Sequence, residues 1–177
     1  MGEARTEIPA QGWSHGRVLD EMRGYGTRDA DYRSARTFGL VYWLGEEHTA
    51  FLKEAHGLYF SENALNPMAF QSRKRFETEV VRMAATMLHG DDQVVGTMTT
   101  GGTESCLLAV KTARDRFFAK GRPHLRKPEV VLPVSAHVAF EKGCHYFGLE
   151  PVMVPVGPDM RVNVRALKRR ISSRTAL

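Results

Sequence analysis

No stretch of the 177-residue chain approaches the roughly 18 consecutive apolar residues of a membrane helix. The opening segment, MGEARTEIPAQGWSHGR, has no apolar core of the kind a secretory signal carries. It does place Gly2 after Met1 and Thr6 where an N-myristoylation signal has its hydroxyl, a short pattern that an ordinary terminus also shows. Cysteine is scarce. Cys106 and Cys144 stand alone, with no CxxC and no Cys/His metal spacing, which excludes a disulfide scaffold. Both read as small buried hydrophobes of a protein in a reducing, cytoplasmic compartment. Internal repeats and low-complexity tracts are also missing.

A composition of 42% hydrophobic and 25% charged residues is that of a globular domain long enough to bury a core. The net charge is +5. Acidic residues interrupt the basic ones except in RALKRRISSR (165–174), which reads as a solvated helix face rather than a nucleic-acid footprint. A mild excess of base also suits a protein that handles small anions.

Hydrophobic periodicity places the elements. Ser14 can cap a short helix with Val18, Leu19 and Met22 on its apolar side. Residues 24–37 read as a connector. A second helix starts near Glu46, with a stripe of Phe51, Leu52, Ala55, Leu58 and Tyr59. SENALNP (61–67) is a turn-rich loop. A third helix carries Phe76, Val80, Met83 and Met87 as a core-facing stripe and ends at HGDD, with Gly90 as its C-cap. A fourth carries Cys106, Val110, Ala113 and Phe117 on one face, and GRPHLRKP (121–128) breaks it. EVVLPV (129–134) and PVMVPV (151–156) read as strands around a helix over 137–150, closed by Gly148. Strand, helix and strand at this spacing predict a parallel pair, hence an α/β fold with a mostly parallel sheet. Asn163 can cap a basic helix ending near Ser172, and SSRTAL resembles the entry to a further strand. Two strands are few for such a domain, so the expectation is the N-terminal part of a larger enzyme.

The stretch GTMTTGGTES (96–105) has the glycines and hydroxyls of a phosphate-binding loop ahead of a helix. Against the nucleotide pattern GxxxxGK[ST] it fails at one position: Gly102 stands where the lysine belongs. A nucleoside triphosphatase is therefore disfavoured. A cofactor with a single phosphate, pyridoxal 5'-phosphate (PLP), fits better. The alternative is a glycine-rich turn that merely starts a helix. Thr100, Thr103 and Ser105 offer hydroxyl donors. His137 follows the first strand, at the end of a parallel sheet where ligands gather. There it can stack on an aromatic ring or cap the loop. His137, Glu141 and His145 share a helix face, but not in HExxH form, so a surface pairing is the better reading than a metal site.

Together these stretches resemble the sphingosine-1-phosphate lyase-like branch of the PLP-dependent group II decarboxylases. The resemblance is carried by DADYRSARTFGLVYWLGEEH, NALNP, RKRFETEVVRMAATML, GTMTTGGTESCLLAVKTARDRF, RKPEVVLPVSAHVAFEKGCHYFG and MRVNVRALKRRISSRTAL. It implies an incomplete type I PLP-dependent transferase fold, with an N-terminal helical segment and substrate-side loops over 1–90 and the start of the PLP-binding large domain over 91–177. It implies that Gly101, Gly102 and Thr103 grip the cofactor phosphate and that His137 stacks on the pyridine ring. Tyr42, Asn63 and Asn66 match positions near the substrate. The lyases commonly show NPLHP where this chain has NALNP, with Asn66 at the histidine position.

The activity implied is cleavage of a carbon–carbon bond to release an aldehyde, in carboxylic-acid and sphingolipid catabolism. Amino-acid decarboxylation stays open, as does a non-catalytic fragment that associates with a full-length homologue. The substrate expected is a small amine or amino acid, phosphorylated or not. The partner expected is a second copy in a homodimer or a separate C-terminal half, with no nucleic acid. The family's Schiff-base lysine and its THKYG-like context do not occur in these residues, and Lys111 and Lys142 lie on helices where the family does not place it. The chain alone is expected to be inactive.

Overall fold

The computed structural model describes residues 6–34, 36–39, 41–121 and 127–177. Most of the myristoylation pattern and residues 122–126 of the breaker segment lie outside them. Two compact units divide the chain, Met1–Asn66 and Pro67–Leu177.

The first unit holds α1 (His15–Gly26) and α2 (Glu46–Leu58). Ser14 caps α1 as expected, its hydroxyl accepting from the Arg17 N–H at 3.4 Å. Glu46 and Glu47 open α2, where carboxylates favour the positive helix end. The apolar stripes differ from expectation. Leu19 and Met22 of α1, and Phe51, Leu52 and Leu58 of α2, are exposed, and neither helix has a buried residue.

The second unit holds α3 (Gln71–Met87), α4 (Gly102–Ala119), β1 (Glu129–Pro133), α5 (Ala139–Phe147), β2 (Glu150–Val154) and α6 (Val164–Arg170). The expected core stripe of α3 also stays out of the core. Phe76, Val80, Met83 and Met87 are exposed, while Ala85 is the helix's buried residue. The end of α3 differs too. His89, not Gly90, takes the left-handed position, with φ 59°. Its N–H donates to Thr86 O (3.1 Å) and that of Gly90 to Ala85 O (2.8 Å), a Schellman closure. Glycine is needed at 90 for room: a Cβ there would stand 2.8 Å from Val94 Cγ2.

β1 and β2 pair in parallel, Glu129 opposite Glu150 through Pro133 opposite Val154. On its other edge β1 takes up the last residues. The Glu129 N–H donates to Arg174 O and the Ala176 N–H to Glu129 O, both at 2.8 Å, and the Val131 N–H to Leu177 O at 2.9 Å. Where a further strand was expected, the last residues form a single parallel bridge, Thr175 with Glu129, alongside β1. Val130 and Leu132 point to one face of β1 and join Val110, Cys144 and Leu149 in the core. Val110, fully buried, contributes about 1.5–3 kcal/mol by that burial. Cys144 is buried as expected, but Cys106 is only half-buried. Gly148 closes α5 at φ 70°, and Asn163 caps α6 through Oδ1, which accepts from the Ala166 N–H. Among the described residues no helix is long and apolar enough to cross a membrane.

Candidate functional site

The chain enters α4 through residues 96–101. Gly96 is set by packing, because a Cβ there would lie 3.1 Å from Val81 Cγ1. Gly101 and Gly102 are different. Among the described residues, a Cβ on either would meet no atom within 4 Å beyond its immediate chain neighbours and its own helix, and the Gly101 backbone is extended (φ 160°, ψ 177°). Packing among the described residues does not demand these two glycines. What they leave is open space in front of a helix.

That space faces donors. The N–H groups of Gly102, Thr103 and Glu104 begin α4 and have no intrahelical acceptor. Among the described residues neither they nor the Thr103 hydroxyl have a partner. The other two candidate hydroxyls are committed. Thr100 Oγ donates to Glu104 Oε2 at 2.7 Å, and Ser105 Oγ lies 2.7 Å from Thr99 Oγ. Glu104 Oε2 also accepts the Thr100 N–H at 2.6 Å. These two bonds, the backbone one first, hold the Glu104 carboxyl below the usual glutamate range.

α4 and α5 run side by side in the same direction. A Cβ on Gly143 would lie 3.2 Å from Val110 Cβ, so the two backbones approach closely at that pair. One turn further along both helices, Arg114 Nη1 reaches Phe147 O at 3.5 Å, its guanidinium 5.4 Å from the Phe147 ring. Parallel helices in register put both N-termini at one end. The glycine loop and His137 therefore share the carboxyl end of β1. His137 is exposed, and its Nδ1 accepts the Ala139 N–H at 3.1 Å. That bond places the proton of a neutral ring on Nε2 and fixes the imidazole over the start of α5.

The remaining candidates lie in the first unit. Tyr42 is fully exposed. Asn63 Oδ1 accepts the Leu65 N–H at 3.0 Å, which makes a tight turn of the NALNP loop, and Asn66 is exposed. Lys111 is tied to Asp115 at 2.6 Å, and Lys142 lies 5.6 Å from the Tyr146 ring centroid.

Sequence reading missed two acidic residues at the loop. Glu104, in the first turn of α4, reaches back four residues to Thr100; a glutamate in the first turn of a helix is a common sequence feature that could have pointed to it. Glu77 of α3 accepts the Met98 N–H (2.8 Å) and the Thr97 hydroxyl (2.9 Å) from twenty residues away, and no local pattern announces such a contact.

No family model matches the chain. A solved sphingosine-1-phosphate lyase from Burkholderia pseudomallei superposes with a TM-score of 0.86 at 34% identity, covering 98% of this chain and 42% of that one. A glutamate decarboxylase from Lactobacillus brevis shares the fold, with a TM-score of 0.75 at 23% identity. The class is thus an α/β protein carrying part of the PLP-dependent transferase fold. Among curated proteins the chain is 39% identical to sphingosine-1-phosphate lyase 1 of Rattus norvegicus over 96% of its own length, and 38% identical to the lyase of Dictyostelium discoideum over 98%. It spans 29% and 33% of those two relatives. The chain is thus similar to the sphingosine-1-phosphate lyases, of the group II decarboxylases, and corresponds to a portion of such a protein.

Proposed function

We propose that the chain is the cofactor-phosphate-holding portion of a PLP-dependent carbon–carbon lyase acting on a small amine, phosphorylated or not. One observation carries the reading. The free N–H groups of Gly102, Thr103 and Glu104 and the open space before Gly101 and Gly102 lie at the same end of the α4/α5 pair as His137. A donor set with no acceptor turned into it suits a phosphate ester. Thr103 Oγ adds a further donor, and the exposed His137 ring, held by the Ala139 N–H, offers a flat face for an aromatic ring. When bound, PLP supplies an electron sink that stabilises charge left at the substrate carbon. The chain's own part is to anchor the phosphate and orient the ring. The exposed apolar side chains of α1, α2 and α3 support assembly with a second copy or a C-terminal half.

A decarboxylase reading has its own support. Asn66 stands at the lyases' histidine position, and the chain is 28% identical to a probable L-aspartate decarboxylase of Pyrococcus furiosus over 96% of its length.

Titration with PLP, followed by absorbance between about 300 and 500 nm and by calorimetry, tests the proposal. Saturable binding that competes with inorganic phosphate and weakens in His137→Ala is expected. Binding that phosphate does not displace, or no binding, would overturn it.

A further inference from the structure

The segment that delivers the glycine loop is held in an unusual way. Between residues 92 and 98 its one backbone–backbone bond among the described residues is the Val94 N–H to Asp91 O, at 3.4 Å. Its anchors are side chains of α3. Arg82 donates to Asp92 O (2.9 Å) and Val94 O (3.2 Å). Val81 packs on Gly96. Half-buried Glu77 accepts the Met98 N–H and the Thr97 hydroxyl on a single oxygen, Oε1. Glu77 and Val81 lie one turn apart on α3, and the long side chain of Arg82, the next residue, reaches the same segment. From Met98 the chain continues through Thr99, whose hydroxyl donates to Gly101 O at 3.1 Å and touches Ser105 Oγ. The constraint set by Glu77 thus passes in three residues to the cap of α4.

We propose that Glu77 is the positioning residue of the glycine loop: its carboxylate fixes the approach of Met98 to Gly101 and so sets where the free N–H groups of α4 meet a phosphate ester. The inference rests on the phosphate-binding reading above. The carboxylate acts through the Met98 N–H and the Thr97 hydroxyl that it holds. Two donors on a charged acceptor make bonds of the stronger class. Bonds from a donor to a charged group are worth enough that losing them shifts a local equilibrium roughly tenfold or more.

The test uses the 177-residue chain and the variants Glu77→Ala, Glu77→Gln and, as a control on the same helix, Glu79→Gln, whose residue pairs with Arg75 outside the clamp. Two readouts are taken: amide hydrogen exchange at residues 98–103 without ligand, and the Kd for PLP. Glu77→Ala is expected to speed Met98 exchange roughly tenfold and to weaken PLP binding by a similar factor. Glu77→Gln keeps an acceptor oxygen and should recover part of both, while Glu79→Gln changes neither. Unchanged exchange and affinity in a folded Glu77→Ala protein would overturn the inference. If Glu77→Ala does not fold, the comparison of Glu77→Gln with Glu79→Gln decides it by the same criteria. If the unsubstituted chain binds no PLP, the functional reading fails by itself, and exchange at 98–103 still decides whether Glu77 sets the loop.

Discussion

Glu104 Oε2 takes two hydrogen bonds from one residue, the Thr100 N–H at 2.6 Å and the Thr100 hydroxyl at 2.7 Å. The carboxylate thereby straps the entry of the glycine loop to the first turn of α4. These bonds favour the charged form and lower its pKa. A carboxylate with a depressed folded pKa contributes above its unfolded value and loses that contribution as pH falls through the folded one. The strap should therefore persist at neutral pH and release in acid, below the ordinary glutamate range. A carbonyl-carbon NMR titration of Glu104, followed with the Thr100 amide shift, checks this. The two signals should move together, and in Glu104→Gln the Thr100 shift should lose its acid transition.

Gly101 and Gly102 separate stability from binding. Among the described residues a Cβ at Gly101 meets no atom within 4 Å beyond its immediate chain neighbours, and its φ suits any residue. Gly101→Ala should leave the unfolding free energy from urea denaturation within about 0.5 kcal/mol of the parent. It should nonetheless weaken PLP or inorganic phosphate, because the new methyl enters the space a phosphate would take. Equal affinity in the two proteins would mean that the ligand lies elsewhere.

The α4/α5 crossing should be intolerant of bulk. Gly143 lets the Val110 side chain approach to within 3.2 Å of where a Cβ would stand. Gly143→Val should cost about 2 kcal/mol by overpacking. Val110→Ala in that background should recover part of the loss, although Val110→Ala alone destabilises. Urea denaturation of the four proteins in a double-mutant cycle measures the coupling. Additive effects would contradict the close approach.

Just past α3, His89 and Gly90 reverse the usual roles of a helix-closing pair. His89→Gly should stabilise the protein by about 0.5–1 kcal/mol, since φ 59° strains a side chain and suits glycine. Gly90→Ala should destabilise it by about 1–2 kcal/mol, because its Cβ would meet Val94 Cγ2 and Ala85 O. Thermal melts of the two single variants should move in opposite directions.

What the sequence by itself determined was local. Ser14 and Asn163 announce their helices because a side-chain oxygen two or three residues ahead of a free N–H needs no tertiary help. The glycine run before α4, the parallel pair around α5 and the left-handed Gly148 are likewise properties of short spacing and backbone sterics. The family resemblance also lay in the residues. Tertiary structure decided the rest. The stripe of Phe76, Val80, Met83 and Met87 has helical period, but period cannot say what faces it, and α3 turns Glu77, Val81 and Ala85 to the chain instead. Gly90 looked like a cap, yet the space beside Val94 is what requires glycine there, and His89 took the left-handed turn. Only the parallel run of α4 and α5 brought His137 to the end of the fold that holds the glycine loop, because that depends on a contact between Val110 and Gly143, far apart in the chain. Glu77 was silent in the sequence for the same reason: hydrogen bonds across twenty residues are set by how a helix lies, and no local pattern encodes that.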